Sequence, residues 1–171
     1  LAGIDLLEWV MQIEMTIKGL MVDPVTSMPI VVLRDKKEEH SLPIWVGVFE
    51  ANAIALQIEN VTPARPMTHD LLREIISNFK GAVEKVVISG LEESTFYARI
   101  CIRIGEQVSA VDSRPSDAIA LALRVGAPIF AEESVLADAK NVELSPDKGD
   151  SERLSKWLEN LDPDELGKYK M

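Results

Sequence analysis

The chain has 171 residues, 47% of them hydrophobic and 27% charged, with a formal net charge of −10 at pH 7. This size and apolar content suit one globular domain with a small appendage, and the acidic balance disfavours non-specific adhesion to nucleic acid or anionic membrane. A single cysteine, Cys101, excludes an intrachain disulfide and a cysteine-based zinc cluster.

No apolar run reaches the roughly 18 to 20 residues of a membrane span, and the apolar start at residues 1–11 lacks the basic flank of a signal peptide. The expectation is a cytoplasmic protein without a membrane partner. Ile13, Met15 and Ile17 alternate with Glu14, Thr16 and Lys18, which predicts a half-buried strand over residues 11–22. After a turn at Asp23-Pro24, residues 29–34 and 41–46 flank a polar loop at 35–40, the pattern of a hairpin with a charged tip. Residues 47–60 predict a helix with Ala51, Ile54, Ala55 and Ile58 on one face, and Pro63 and Pro66 force a loop over 61–67. Thr68 reads as the N-cap of a second helix. Its apolar stripe is Leu71, Leu72, Ile75, Ile76 and Phe79, and Gly81 is its stop. Three further strands are expected at 83–89, 95–104 and 107–112.

Residues 111–130 are the most distinctive stretch. Ser113, Arg114 and Pro115 mark a helix start, because proline lacks an N–H that would have no intrahelical partner there. Residues 118–125 are apolar on nearly every side, interrupted only by Arg124, which is the mark of a buried helix. Gly126 stops this helix and Pro128 prevents its continuation into the short strand that follows. A short helix is expected at 132–139. Beyond it, Leu154, Trp157, Leu158 and Leu161 have amphipathic spacing, and Asp162 to Glu165 reads as a capping box. The organisation is a domain at 12–139 and an acidic connector with a small helical C-terminal tail at 140–171.

The chain twice runs hairpin, helix, proline-bearing loop. NAIAL at 52–56 matches DAIAL at 117–121, and the pairs Val46/Val111 and Pro63/Pro128 keep the same offset. Internal duplication of a hairpin–helix unit explains the match, and so does chance similarity between alanine- and leucine-rich helices. Duplication would place Glu50 and Asn52 in positions equivalent to Arg114 and Asp117.

Glycine-rich phosphate loops, HExxH, CxxC and nucleophile elbows are absent. What remains is a set of polar residues at helix starts: Glu50, Asn52, His69, Asp70, Arg114, Ser116 and Asp117. Carboxylates gathered in space hold Mg²⁺ or Mn²⁺, which take oxygen ligands and activate water for phosphodiester cleavage, while arginines clamp phosphate bidentately. The same acids equally complement the helix dipole with no further role. His69 is either a general base or metal ligand, or a structural residue. In the strand at 95–104, Tyr97, Arg99 and Arg103 share one face. They suit contact with nucleic acid, ion pairs with the protein's own carboxylates, or an oligomer interface.

The segments LPIWVGVFEANAIA at 42–55, ARPMTHDLL at 64–72 and SRPSDAIALALR at 113–124 together resemble the bifunctional nuclease domain of bacteria and plants. The resemblance extends over roughly residues 14–137. It implies an α+β fold, a mostly antiparallel or mixed β-sheet flanked by helices, commonly in a homo-oligomer. It also implies relatively non-selective hydrolysis of phosphodiester bonds in DNA and RNA. Glu50, Arg65, His69, Asp70, Arg114 and Asp117 fall in the matching motifs. The resulting expectation is a nuclease, assisted by Mg or Mn, with Glu50, His69, Asp70 and Asp117 as catalytic groups. Arg65, Arg114, Ser116, Arg99 and Arg103 are its expected substrate contacts. The competing expectation is a non-catalytic oligomeric module whose groove at Arg114 and Asp117 holds an anion or a peptide.

Overall fold

The computed structural model describes residues 12–139. The described elements run β1 (Gln12–Val22), β2 (Pro29–Asp35), β3 (Ser41–Trp45), α1 (Val48–Ile58), α2 (Thr68–Asn78), β4 (Gly81–Glu92), β5 (Thr95–Ile104), β6 (Gln107–Ser113), α3 (Pro115–Val125), β7 (Ile129–Glu132) and α4 (Glu133–Ala139). The connector and helical tail expected at 140–171 lie outside the described residues.

All seven strands join one open sheet in the order β3-β2-β1-β7-β4-β5-β6. Every neighbouring pair is antiparallel except β4 and β7, which run parallel. The fold is therefore α+β with a mixed sheet. Short turns explain the antiparallel runs: Asp23 accepts hydrogen bonds from the N–H groups of Val25 and Thr26 and shapes the β1–β2 turn. The strip β7 then joins two three-stranded meanders edge to edge.

Each meander is followed by a helix, β1-β2-β3-α1 and β4-β5-β6-α3, the same order twice over. The sequence match is out of step with the helices, however. Asn52 is the fifth residue of α1, whereas Asp117 is the third of α3. By position in the first turn, the counterpart of Asp117 is Glu50.

The core lies between the sheet and α1 and α3. Ala118, Ile119, Ala120 and Leu121 of α3 are fully buried, as the apolar run requires, and so are Ala51 and Ile54 of α1. The two helices pack against each other, and alanine at their buried positions permits a close approach. Gly126 ends α3 in the left-handed conformation at φ 69°, and the Ala127 N–H donates to the Ala122 carbonyl at 3.0 Å.

Helix α2 departs from expectation at both ends. Thr68 is its first residue rather than its cap. Met67 is the N-cap residue, and its N–H donates to Asp70 Oδ2 at 2.9 Å. The helix ends at Asn78, with Gly81 opening β4 instead. A side chain at 81 would press on Ile76 Cγ2 at 3.0 Å, so glycine serves a close approach there. The five-residue apolar stripe also divides. Leu72 and Ile76 pack on the core, while Leu71, Ile75 and Phe79 are exposed by 54%, 45% and 73%. Adjacent helical residues point about 100° apart, and α2 touches its neighbours α3 and β4 along the Leu72 row.

Candidate functional site

The first turns of three helices, α1, α2 and α3, meet at one end of the fold, and each carries an acid at its third residue: Glu50, Asp70 and Asp117. Acids there offset the positive end of the helix dipole. Their side chains then take different partners.

Asp117 sits between Arg114 and His69. Arg114 Nε donates to Asp117 Oδ2 at 2.7 Å and Nη2 to Oδ1 at 3.2 Å, while His69 Nε2 lies 2.9 Å from Oδ1. Arg114 Nη2 also reaches Glu50 Oε1 at 2.8 Å. Glu50, Arg114, Asp117 and His69 thus form a chain of charge-assisted contacts across three helices. Glu50 folds back over the N-cap Gly47, where a Cβ would collide with its carboxylate. Burial pushes the Asp117 carboxyl up, but the hydrogen bonds from Arg114 and His69 outweigh it and hold the group below the ordinary carboxylate range. Asp117, with Glu50 beside it, raises Arg114. Ionised Asp117 can only accept, so His69 Nε2 carries the proton and Nδ1 is the basic nitrogen of the neutral ring.

Asp70 belongs to a different cluster. Its Oδ1 accepts from Arg124 Nε at 2.6 Å and its Oδ2 from the Met67 N–H at 2.9 Å. Arg124 Nη1 donates to the carbonyls of Ala53 at 3.1 Å and Ala120 at 2.8 Å. The Arg124 side chain has no solvent exposure. This arginine, the one break in the apolar run of α3, is what ties α1, α2 and α3 together. A lone arginine on an otherwise buried helix demands acceptors, and that demand was the readable signal. Burial pushes the Asp70 carboxyl up, and the Met67 N–H and Arg124 bring it below its usual value.

A groove of about 280 Å³ opens beside Arg114, lined among others by Trp45, Gly47, Phe96, Arg114 and Ser116. Ser116 is 6% exposed, and its hydroxyl bonds no described residue. Among the described residues, Asn52 Oδ1, Ser113 Oγ and Arg124 Nη2 are buried without a hydrogen-bond partner. Arg65 is exposed in the loop before α2 and pairs with no described residue. Arg99 and Arg103 are instead engaged on the sheet: Arg99 Nη2 meets Glu132 Oε1 at 2.6 Å, and Arg103 pairs with Glu84. Of the three roles open to that strand face, ion pairing with the protein's own carboxylates accounts for both arginines.

Magnesium and manganese take near-octahedral sets of oxygen ligands. Glu50 and Asp117 offer such oxygens, but the guanidinium of Arg114 lies between them, and Asp70 is committed to Arg124. As arranged, these carboxylates do not fit a resident divalent ion. Among the described residues, the side chains of His, Asp and Glu that converge within 4.8 Å as a group of three are Asp35, Glu39 and His40, at the tip of the β2–β3 hairpin.

Residues 31–143 match the family model of the bifunctional nuclease domain. Two Mycobacterium tuberculosis proteins described as uncharacterized, MT1877 and Rv1829, are each 42% identical over 157 residues, covering 92% of this chain and 90% of their own length. Bifunctional nuclease 2 of Oryza sativa subsp. japonica is 29% identical over 122 residues, covering 69% of this chain and 38% of that protein. The matched span contains all four residues of the Glu50–Arg114–Asp117–His69 chain.

Proposed function

The chain belongs to the bifunctional nuclease domain family, and from that premise we propose that the Glu50–Arg114–Asp117–His69 cluster hydrolyses phosphodiester bonds of DNA or RNA. The observation that carries this reading is the His69–Asp117 pair, 2.9 Å apart, beside an arginine that lines a groove. His69 Nδ1 takes a proton from the attacking water, and Asp117 fixes the tautomer and stabilises the imidazolium that forms. The P–O bond to the leaving sugar oxygen breaks, and the imidazolium returns the proton to that oxygen. Arg114 neutralises charge on the phosphoryl oxygens, and Glu50 keeps the guanidinium in place. Ser116 and exposed Arg65 add contacts to the phosphate backbone. The row Leu71, Ile75 and Phe79 supports a homo-oligomer that covers it.

A second reading has one observation in its favour. Arg114 is already matched by two carboxylates of its own site, as in a structural lock, which suits a non-catalytic module holding an anion or peptide. Hydrolysis of labelled DNA and RNA by the purified protein separates the two. Parent protein cleaves, and folded His69→Ala and Asp117→Asn variants fall by about 10²- to 10⁴-fold. Equal cleavage by parent and variants marks a contaminant and leaves the second reading standing. Activity that survives a chelator assigns the cationic role to Arg114 alone. Activity that the chelator removes and Mg or Mn restores overturns the metal-free scheme.

A further inference from the structure

We propose that the groove beside Arg114 takes one unpaired nucleotide, with its phosphate on Arg114 and the start of α3 and its base stacked on Trp45 and Phe96. The inference rests on the phosphodiester reading for its substrate class and adds the strandedness.

The polar end of the groove is built for an oxyanion. Arg114 uses Nε and Nη2 on carboxylates, while no described residue engages Nη1. Ser116 is only 6% exposed and lines the groove with a hydroxyl that no described residue engages. Pro115 has no N–H and the Ala118 N–H donates to the Arg114 carbonyl, which leaves the first-turn amides of Ser116 and Asp117 without an intrahelical acceptor in this eleven-residue helix. These three kinds of donor belong to consecutive residues of one segment.

The other end is aromatic and held in place. Trp45 is the last residue of the edge strand β3 and remains 37% exposed. Its Nε1–H donates to Asp23 Oδ2 at 2.8 Å, so the ring's hydrogen-bonding edge is fixed. Phe96, on the strand after the β4–β5 turn, is half-buried and lines the same groove. A base in a duplex has both faces covered by its neighbours, and only an unpaired base can offer one to these rings.

Charge makes the aromatic end necessary. The protein carries a formal −10, and the guanidinium shares its charge with two carboxylates. Counterion release, the usual source of affinity for nucleic acid, is weak under those conditions. Stacking does not depend on net charge, and it tolerates any base because every base has a π-face.

The test is binding of the full chain to three labelled phosphorothioate oligonucleotides, followed by anisotropy: single-stranded oligo-dT, an abasic strand of equal length, and a hairpin duplex. Oligo-dT binds on the order of 10-fold tighter than the abasic strand, with the duplex weaker than oligo-dT. Trp45→Ala brings the dT-to-abasic ratio towards one, while Trp45→Phe keeps most of it. Oligo-dT quenches tryptophan emission in the parent more than in Trp45→Phe, which isolates Trp45 from the other two tryptophans. Equal affinity for dT and abasic strands, duplex binding as tight as single-strand binding, an unaltered ratio in Trp45→Ala, or no binding to any of the three overturns the inference. Cleavage of ordinary single-stranded DNA is scored in parallel. Base-dependent binding without cleavage sinks the hydrolytic reading alone, and cleavage without base preference sinks this inference alone.

Discussion

Replacing Asp70 by alanine strands the Arg124 guanidinium in the core. Its side chain has no exposure and that of Asp70 only 12%, so neither group is solvated in compensation. Removing one member of a buried ion pair typically costs about 3 to 5 kcal/mol, because the remaining charge keeps its burial without its partner. Two carbonyl contacts, to Ala53 and Ala120, stay with Arg124 and pull the estimate to the lower end. The lost Met67 N–H acceptor adds about 1 kcal/mol. The expected total is about 4 kcal/mol, read as a lower urea midpoint with an unchanged slope. Adding Arg124→Met removes the stranded charge, and the double variant is less destabilised than Asp70→Ala alone, with a coupling of at least about 2 kcal/mol. His69 is the neighbour of Asp70, so freeing α2 also loosens His69 from Asp117, and on the hydrolytic proposal cleavage drops even where the variant is still folded. A loss below about 1 kcal/mol for Asp70→Ala, or additive effects in the double variant, refutes the reasoning.

Two further predictions concern the same end of the fold. Gly47→Ala introduces a Cβ where the Glu50 carboxylate lies. Because φ at 47 is −67° and the obstructed group is the tip of a flexible side chain, stability changes by no more than about 0.5 kcal/mol. Glu50 leaves Arg114, and a crystal structure of the variant with the Glu50–Arg114 pair intact contradicts this. The second concerns acid. Asp70 and Asp117 have folded pKa values below the ordinary one, and Asp23, bonded by the Trp45 indole, is lowered to about 2. Below about pH 4 the unfolded chain therefore binds more protons than the folded one. Their contribution is complete above the unfolded value and is lost as pH falls through the folded values. The urea midpoint is level from neutral pH to about pH 5 and falls below about pH 4; Asp70→Ala makes that acid limb shallower, and an unchanged limb counts against the Asp70–Arg124 pair.

Much of the secondary structure was legible because it is local. Alternation in Ile13, Met15 and Ile17 reports a strand, the apolar run after Pro115 reports a buried helix, and Gly126 reports its end. The acids at the helix starts were equally visible, and three of the four residues expected to be catalytic do meet around Arg114. What sequence could not separate was Asp70 from Asp117. Both are third residues of a first turn, and their roles diverge only through partners far along the chain: Arg124 lies 54 positions from Asp70, and His69 lies 48 from Asp117. Met67 displaced Thr68 as cap because the Asp70 carboxylate reaches back to the backbone, so the hydroxyl was not required. The division of the α2 stripe depends on which row the sheet and α3 can reach, and periodicity alone does not carry that information.

The four-residue strand β7 carries a consequence for how the protein is made. It pairs from Gln12 with Glu132 to Met15 with Ile129 on one side, and from Val86 with Ile129 to Ile88 with Ala131 on the other. During synthesis both meanders are complete before this strand leaves the ribosome. Until it does, β1 and β4 each present a bare row of N–H and C=O groups. The last strand among the described residues thus closes pairings such as Gln12 with Glu132, whose large sequence separation makes them slow to form. Edge-to-edge aggregation of the nascent chain is therefore expected before residues 129–132 emerge and not after.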